Sequence, residues 1–217
     1  MRINKFVALS SGISRRKADF FIKQGRVAIN GMVAELSNIV KDSDAVTLDG
    51  QILDKPATFT TIILNKPIGY VCSKDGQGSK TVYELLPDNL QSLKTVGRLD
   101  KDTSGLILLS NNGELTQQLT HPSFSKVKVY ELFIDKSLKE SSLKQIERGV
   151  ELEDGPSRLN LTRLSSDKNW QVAMTEGRNR QIRRTFEALG YLVTKLHRTK
   201  FGDYELNDIK TGEFKIV

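Results

Sequence analysis

Apolar positions follow two regimes along this chain, and the change falls near residue 58. In "RINKFVALSS", Ile3, Phe6, Val7 and Ala8 fall on one face of a short helix. "SGISRRKADFFIKQG" predicts a second helix, with Ser14 as N-cap, Ala18, Phe21 and Ile22 inward, and Gly25 as the stop. "RVAINGMVAE" reads as a hairpin turning at Asn30-Gly31, and "AVTLDGQIL" repeats it at Asp49-Gly50. After the connector "LDKPATFT", strands dominate: "FTTIILN", the buried "GLILLS", the alternating "KVYELFI", the pair "SRLNLTRL" and "NWQVAMT", then "YLVTKLH" and "EFKIV". Helices are expected at "TVYELLP", at "ELTQQLTH" up to Pro122, at "ESSLKQIERG" and at "NRQIRRTFEALG", where Ile182, Phe186 and Leu189 have helical spacing and Gly190 ends the run. Helices in irregular order among the strands argue α+β. The expected organisation is a domain over 1–53, a linker over 54–58 and a larger domain over 59–217.

Charge adds a partner to this picture. The 217 residues carry a net +7, and residues 1 to 31 alone hold seven Lys/Arg against Asp19. These are Arg2, Lys5, Arg15, Arg16, Lys17, Lys23 and Arg26. Arg15, Arg16 and Lys17 occupy the first turn of the second helix, where the dipole favours anions. A nucleic-acid phosphate there would meet free N–H groups and three cations; the competing reading is a solvated charged face. A lone cysteine, Cys72, excludes an intramolecular disulfide and reads as a core strand residue. Two histidines and that cysteine form no metal-ligand set, and no G-x-G-x-x-G is present, so neither a metal nor a nucleotide cofactor is expected. No apolar run approaches the ~18 residues of a membrane span, and the expected location is the cytoplasm, without an anchor.

Chemistry concentrates at two places. "EGRNRQIRRTFEALG" bears Arg178, Arg180, Arg183 and Arg184, and the next strand adds Lys195, His197, Arg198 and Lys200. Helical spacing puts Arg180 and Arg184 on one face and leaves Arg183 at the border of the apolar stripe, where it needs an acid. "VGRLDKDTSG" supplies Asp100 as the natural partner, an anionic carboxylate able to act as nucleophile or base. "DKDT" superficially matches aspartyl-phosphate motifs but lacks their magnesium and phosphate context, so Asp102 reads as a loop acid and Thr103 and Ser104 as loop hydrogen-bonders. His121 is expected to end a helix, and His197 to face RNA or solvent.

Residues 3 to about 50 resemble the small RNA-binding domain shared by a small-subunit ribosomal protein and several RNA-modifying enzymes. "GRLDKDTSGLILLSNNGELTQQLTHP", with "KVY" and "EGRNRQIRRTFEALG", resembles the catalytic domain of the pseudouridine synthases, in the RsuA/RluB branch that modifies ribosomal RNA. The resemblance implies a mainly antiparallel mixed sheet with flanking helices behind an RNA-binding module. It makes Asp100 the catalytic aspartate, Arg183 its basic partner and Tyr130 the aromatic against the target base. Arg98 would help place the flipped nucleotide, Ile182 would lie beside the base, Arg178 and Arg180 would stand on the substrate side, and "NKPIG" would support the cleft. Arg2, Arg15, Arg16, Lys17, Lys23 and Arg26 would meet RNA. The implied partner is ribosomal RNA or an assembly intermediate, met by a monomer that uses no cofactor. Large-subunit RNA is the favoured substrate. Small-subunit RNA and a non-catalytic role in ribosome assembly are the alternatives.

Overall fold

The computed structural model describes residues 1–55 and 59–217. The expected linker therefore lies partly outside the described residues. Two compact units are present, Met1–Phe59 and Thr60–Val217.

The first unit begins with helices α1 (Ile3–Ser11) and α2 (Arg15–Lys23). Ser14 caps α2, its side chain accepting from the Lys17 N–H at 3.2 Å. Strands β1 (Val27–Ile29), β2 (Met32–Val33), β3 (Val46–Leu48) and β4 (Gln51–Ile52) form a sheet in the order β2-β1-β3-β4. Its two tight turns have Asn30 and Gly31 at φ 50° and 82°, and Asp49 and Gly50 at 52° and 79°. Positive φ at both central residues matches the right-handed twist of the flanking strands, which is why Asn-Gly and Asp-Gly stand there. Ile3, Phe6, Val7, Ala18, Ile22 and Val27 fill the core.

The second unit is built on strands β5 (Thr61–Lys66), β6 (Lys94–Val96), β7 (Ser104–Ser110), β8 (Lys128–Ile134), β9 (Val150–Leu152), β10 (Gly155–Ser157), β11 (Asn160–Ser166), β12 (Asn169–Met174), β13 (Val193–Phe201), β14 (Tyr204–Glu205) and β15 (Phe214–Ile216). Helices α3 (Gly113–Thr120), α4 (Glu140–Arg148) and α5 (Gln181–Glu187) flank them. The main sheet runs β11-β12-β8-β13-β7-β5-β15, with β14 beside β13 and β6 beside β7. All its pairings are antiparallel except β13 with β7.

β7 is the centre, and every residue of "SGLILLS" is buried. Its faces serve different cores: Ile107 and Leu109 join the large core with Val82, Leu132 and Phe186, whereas Leu106 and Leu108 pack with Val96, Leu119 and Phe201. An unbroken apolar run is what a strand covered on both sides requires. β8 instead alternates, with Tyr130, Leu132 and Ile134 buried.

Several expectations are corrected. "TVYELLP" makes a 3-10 turn, Val82–Leu85. The helix expected over "NRQIRRTFEALG" spans only Gln181–Glu187, because Arg180 adopts a left-handed conformation at φ 46° and serves as its N-cap. Arg180 and Arg184 consequently do not share a face: the first pairs with Asp102, the second with Asp154. Cys72 lies in a buried bend, with Sγ 3.4 Å from the Leu99 N–H. The hairpin β9–β10 and strand β6 went unpredicted. No helix among the described residues is long and apolar enough to cross a membrane.

Candidate active site

The loop between β6 and β7 carries Arg98, Asp100 and Asp102, and a buried cation holds it in shape. Lys66, at the end of β5, is fully buried. Its Nζ donates to the carbonyls of Pro67 at 3.1 Å, Asp100 at 3.0 Å and Thr103 at 2.6 Å. Burial drives the Lys66 pKa down, opposed by the charges of Asp100 and Asp102. The Thr103 N–H closes the turn on the Asp100 carbonyl at 3.1 Å. The Asp100 carboxylate is left 38% exposed at the lip.

Asp102 gathers the arginines. Arg180 donates to both its carboxylate oxygens at 3.0 Å. Arg183 Nε lies 3.2 Å from Asp102 Oδ2, and Arg183 Nη2 donates to the Asp102 carbonyl at 2.9 Å. The expected pairing of Arg183 with Asp100 is corrected: Arg183 Nη1 donates to the Val193 carbonyl at 2.7 Å, and Arg180 Nη1 lies nearest Asp100, 3.8 Å from Oδ2. Asp102 is thus the fixed anchor of the loop, and Asp100 remains the less constrained acid. Burial works against ionisation of Asp102, but the Arg180 hydrogen bonds and the nearby Arg183 charge outweigh it and hold its pKa below the usual value.

That depressed pKa sets a pH dependence. Asp102→Asn is expected to cost about 1–2 kcal/mol at neutral pH, the lower part of the range for charged hydrogen bonds because the carboxylate is 45% exposed. The stabilisation is complete above the unfolded-state pKa and disappears as pH falls through the lower folded-state value. Urea unfolding should therefore separate wild type from variant at pH 7, with the gap closing in acid. A pH-independent gap would contradict the charge argument.

The opposite wall comes from β8, β13 and α5. Tyr130 sits directly across from Arg198 in the β8–β13 register, so the two side chains share a face. Ile182 and Arg183 follow at the start of α5. Together with Arg98, Asp100, Arg178 and Arg180, these residues line one cleft of about 680 Å³. Every residue expected in catalysis or substrate binding is therefore brought to one place.

Their availability differs. Arg98 is exposed and, among the described residues, has no hydrogen-bond or ion-pair partner. Arg178 is tied down: Nη1 donates to the Asp154 and Gly155 carbonyls and to Asp154 Oδ1, each at 2.9 Å, and Nη2 donates to the Pro156 carbonyl at 2.9 Å. It clamps the β9–β10 turn to the cleft wall. In the first unit, Arg15, Arg16, Lys17 and Lys23 are exposed, as is Arg2. Arg26 differs, gripping Asp49 through two hydrogen bonds of 2.7 and 2.6 Å. His197 is half-buried, with Nδ1 2.9 Å from Ser104 Oγ. Sequence reasoning missed the buried support of Lys66, the anchoring by Asp102 and the burial of Arg198. The only advance signals were the "NKPIG" motif around Lys66 and the proximity of Asp102 to the motif aspartate.

Comparison with known proteins agrees with this geometry. Residues 60–188 match the family model described as RNA pseudouridylate synthase, and residues 1–46 match the S4 domain. The "Ribosomal large subunit pseudouridine synthase B" of Bacillus subtilis is 37% identical, covering 98% of this chain and 90% of its own. The "Dual-specificity RNA pseudouridine synthase RluF" of Escherichia coli is 31% identical, covering 99% of this chain and 74% of its own. A solved structure titled "Crystal structure of pseudouridylate synthase" superposes with a TM-score of 0.71 at 31% identity, covering 100% of this chain and 96% of that one. With an S4 domain ahead of a cleft that collects the motif aspartate, tyrosine and arginines, this chain belongs to the RNA pseudouridylate synthase family.

Proposed function

We propose that this enzyme converts a specific uridine of large-subunit ribosomal RNA to pseudouridine, with Asp100 as the nucleophile. The carrying observation is the cleft that holds Asp100, Tyr130 and Ile182 together with Arg98, Arg180 and Arg183. The large-subunit assignment draws on the resemblance to the ribosomal large subunit pseudouridine synthase B of Bacillus subtilis. The enzyme would act in the cytoplasm, as a monomer, on ribosomal RNA or an assembly intermediate.

The reaction is an isomerisation, so its atoms balance without a redox partner. The N1–C1′ bond breaks, the base turns, and a C5–C1′ bond forms. The proton on C5 leaves, and N1 gains one. An ionised Asp100 carboxylate, adding to C1′ or to C6, makes the covalent link that holds the nucleotide through the turn. The uridine must first leave its stack, and the partnerless Arg98 at the cleft is suited to its phosphate. Tyr130 offers a face for the flipped base, with Ile182 as its apolar neighbour. Arg180 keeps a positive charge beside Asp100, its Nη1 3.8 Å from Oδ2.

The test is a pseudouridine map of ribosomal RNA from cells lacking the protein, complemented with wild type or Asp100→Ala. One large-subunit site lost and restored by wild type alone is the expected result. A small-subunit site would move the substrate, and an unchanged map would favour a non-catalytic role in ribosome assembly.

The domain over residues 1–53 supplies the RNA grip in this proposal. Changing Arg15, Arg16 and Lys17 together to Gln is expected to weaken RNA binding and reduce the slope of log K against log salt by about 2–3, since each phosphate contact contributes roughly 0.7–0.9. Equal slopes for wild type and the triple variant would remove α2 from the RNA face.

A further inference from the structure

Beneath Tyr130 lies a charge that the fold leaves uncompensated. Arg198 is 2% exposed, yet among the described residues no carboxylate lies within ion-pair range of it. Its Nε donates to the Leu106 carbonyl at 2.8 Å, while its Nη2 is buried with no hydrogen-bond partner. The guanidinium carbon stands 6.0 Å from the centre of the Tyr130 ring and 4.8 Å from that of Phe201. A buried cation with an idle donor costs stability unless something else meets it. Two further cations lie in its field: the charge of Arg198 adds to burial in lowering the pKa values of Lys66 and Lys128. Lys128 and Arg198 both line the cleft. So does Thr103, whose buried Oγ1 likewise lacks a partner. The floor of the cleft is therefore positive and carries polar atoms that no protein group meets.

We propose that Arg198 is a catalytic residue whose guanidinium, at the floor of the cleft, donates to a carbonyl oxygen of the flipped uracil and stabilises the negative charge that appears there when the base is detached or attacked. This rests on the pseudouridine synthase reading above. If the carboxylate displaces the base from C1′, the electron pair of the N1–C1′ bond goes to the base and spreads onto O2 and O4. If it adds to C6, the electrons of the C5–C6 double bond move to O4. Either route places charge on a carbonyl oxygen, which a preformed donor in a sheltered site stabilises more in the transition state than in the ground state. The position opposite Tyr130, against which the base is proposed to lie, favours a contact to the base. A phosphate contact would instead stabilise the ground state and the transition state equally, and its loss would show in affinity and not in kcat.

The test compares wild type, Asp100→Asn, Arg198→Met and Arg198→Lys on a large-subunit RNA fragment, reading kcat, RNA affinity and thermal unfolding. Arg198→Met is expected to lower kcat about 10²–10³-fold, the usual effect of losing one such donor, with RNA affinity near wild type. Its melting temperature should equal or exceed that of wild type, because an uncompensated buried charge is gone. Lower turnover without lower stability is a pattern that a structural role would not produce. Arg198→Lys should recover part of the lost kcat. If Arg198→Met fails to fold, the proposal is overturned unless Arg198→Lys keeps the native melting temperature and still loses about tenfold or more in kcat. Turnover by Arg198→Met within about threefold of wild type overturns it, as does a loss confined to RNA affinity. If Asp100→Asn is as active as wild type, the nucleophile assignment falls whatever Arg198 does.

Discussion

Asp100→Asn is expected to lower turnover by at least about 10⁴-fold while RNA affinity stays near the wild-type value. The amide keeps the size of the carboxylate but has neither the charge nor the nucleophilicity that the covalent step requires. The local structure gives little reason for the loop to collapse. Its geometry rests on the Asp100 backbone carbonyl, which accepts from Lys66 and Thr103, and on the Asp102 side chain. The Asp100 side chain contributes only a 3.8 Å ion pair to Arg180. Single-turnover pseudouridine formation and equilibrium RNA binding, measured on one preparation, separate the two effects. Residual turnover within about a hundredfold of wild type would require another nucleophile, and lost binding would mean that the carboxylate organises the RNA surface.

Local features of the fold were legible because the signals are local. Ser14 announces a helix three residues before its side chain receives the Lys17 N–H. Asn30-Gly31 and Asp49-Gly50 announce turns because few other residues adopt their positive φ values cheaply. The apolar run of β7 and the alternation of β8 report burial on two faces and on one. The hairpin β9–β10 escaped notice because its strands have three residues each and its turn is held by an arginine distant in sequence, Arg178. The site divides in the same way. The residues that meet in the cleft were legible as a family resemblance. Their pairings were not, because Asp100 and Asp102 are two residues apart and only the loop geometry decides which acid meets Arg183. Burial of Arg198 was equally hidden, since a basic residue within "KLHRTK" reads as surface until a central strand is known to carry it.

Gly105→Ala is expected to be among the most damaging single substitutions for stability, costing about 4 kcal/mol or more. Among the described residues, β13 and β7 form the lone parallel pairing of the main sheet, and Gly105 faces Arg198 in that register. A Cβ on Gly105 would lie 2.3 Å from the Arg198 carbonyl oxygen and 2.6 Å from its nitrogen. Both are backbone atoms, so no side-chain rotation relieves the overlap, and the strands must separate. The φ of +103° adds about 1–3 kcal/mol of strain for any residue with a Cβ. Domains commonly have only about 5–15 kcal/mol of net stability, so this change approaches the whole margin. The control is Gly113→Ala at the start of α3, where a Cβ meets nothing within 4 Å and alanine favours the helix. Urea unfolding should place Gly113→Ala at or slightly above wild type and Gly105→Ala far below it, or leave the latter insoluble. Near-equal midpoints for Gly105→Ala and wild type would mean that the β7–β13 contact can open without cost. If the variant folds at low temperature, its kcat should still fall, because moving the Arg198 backbone withdraws the guanidinium from beneath Tyr130.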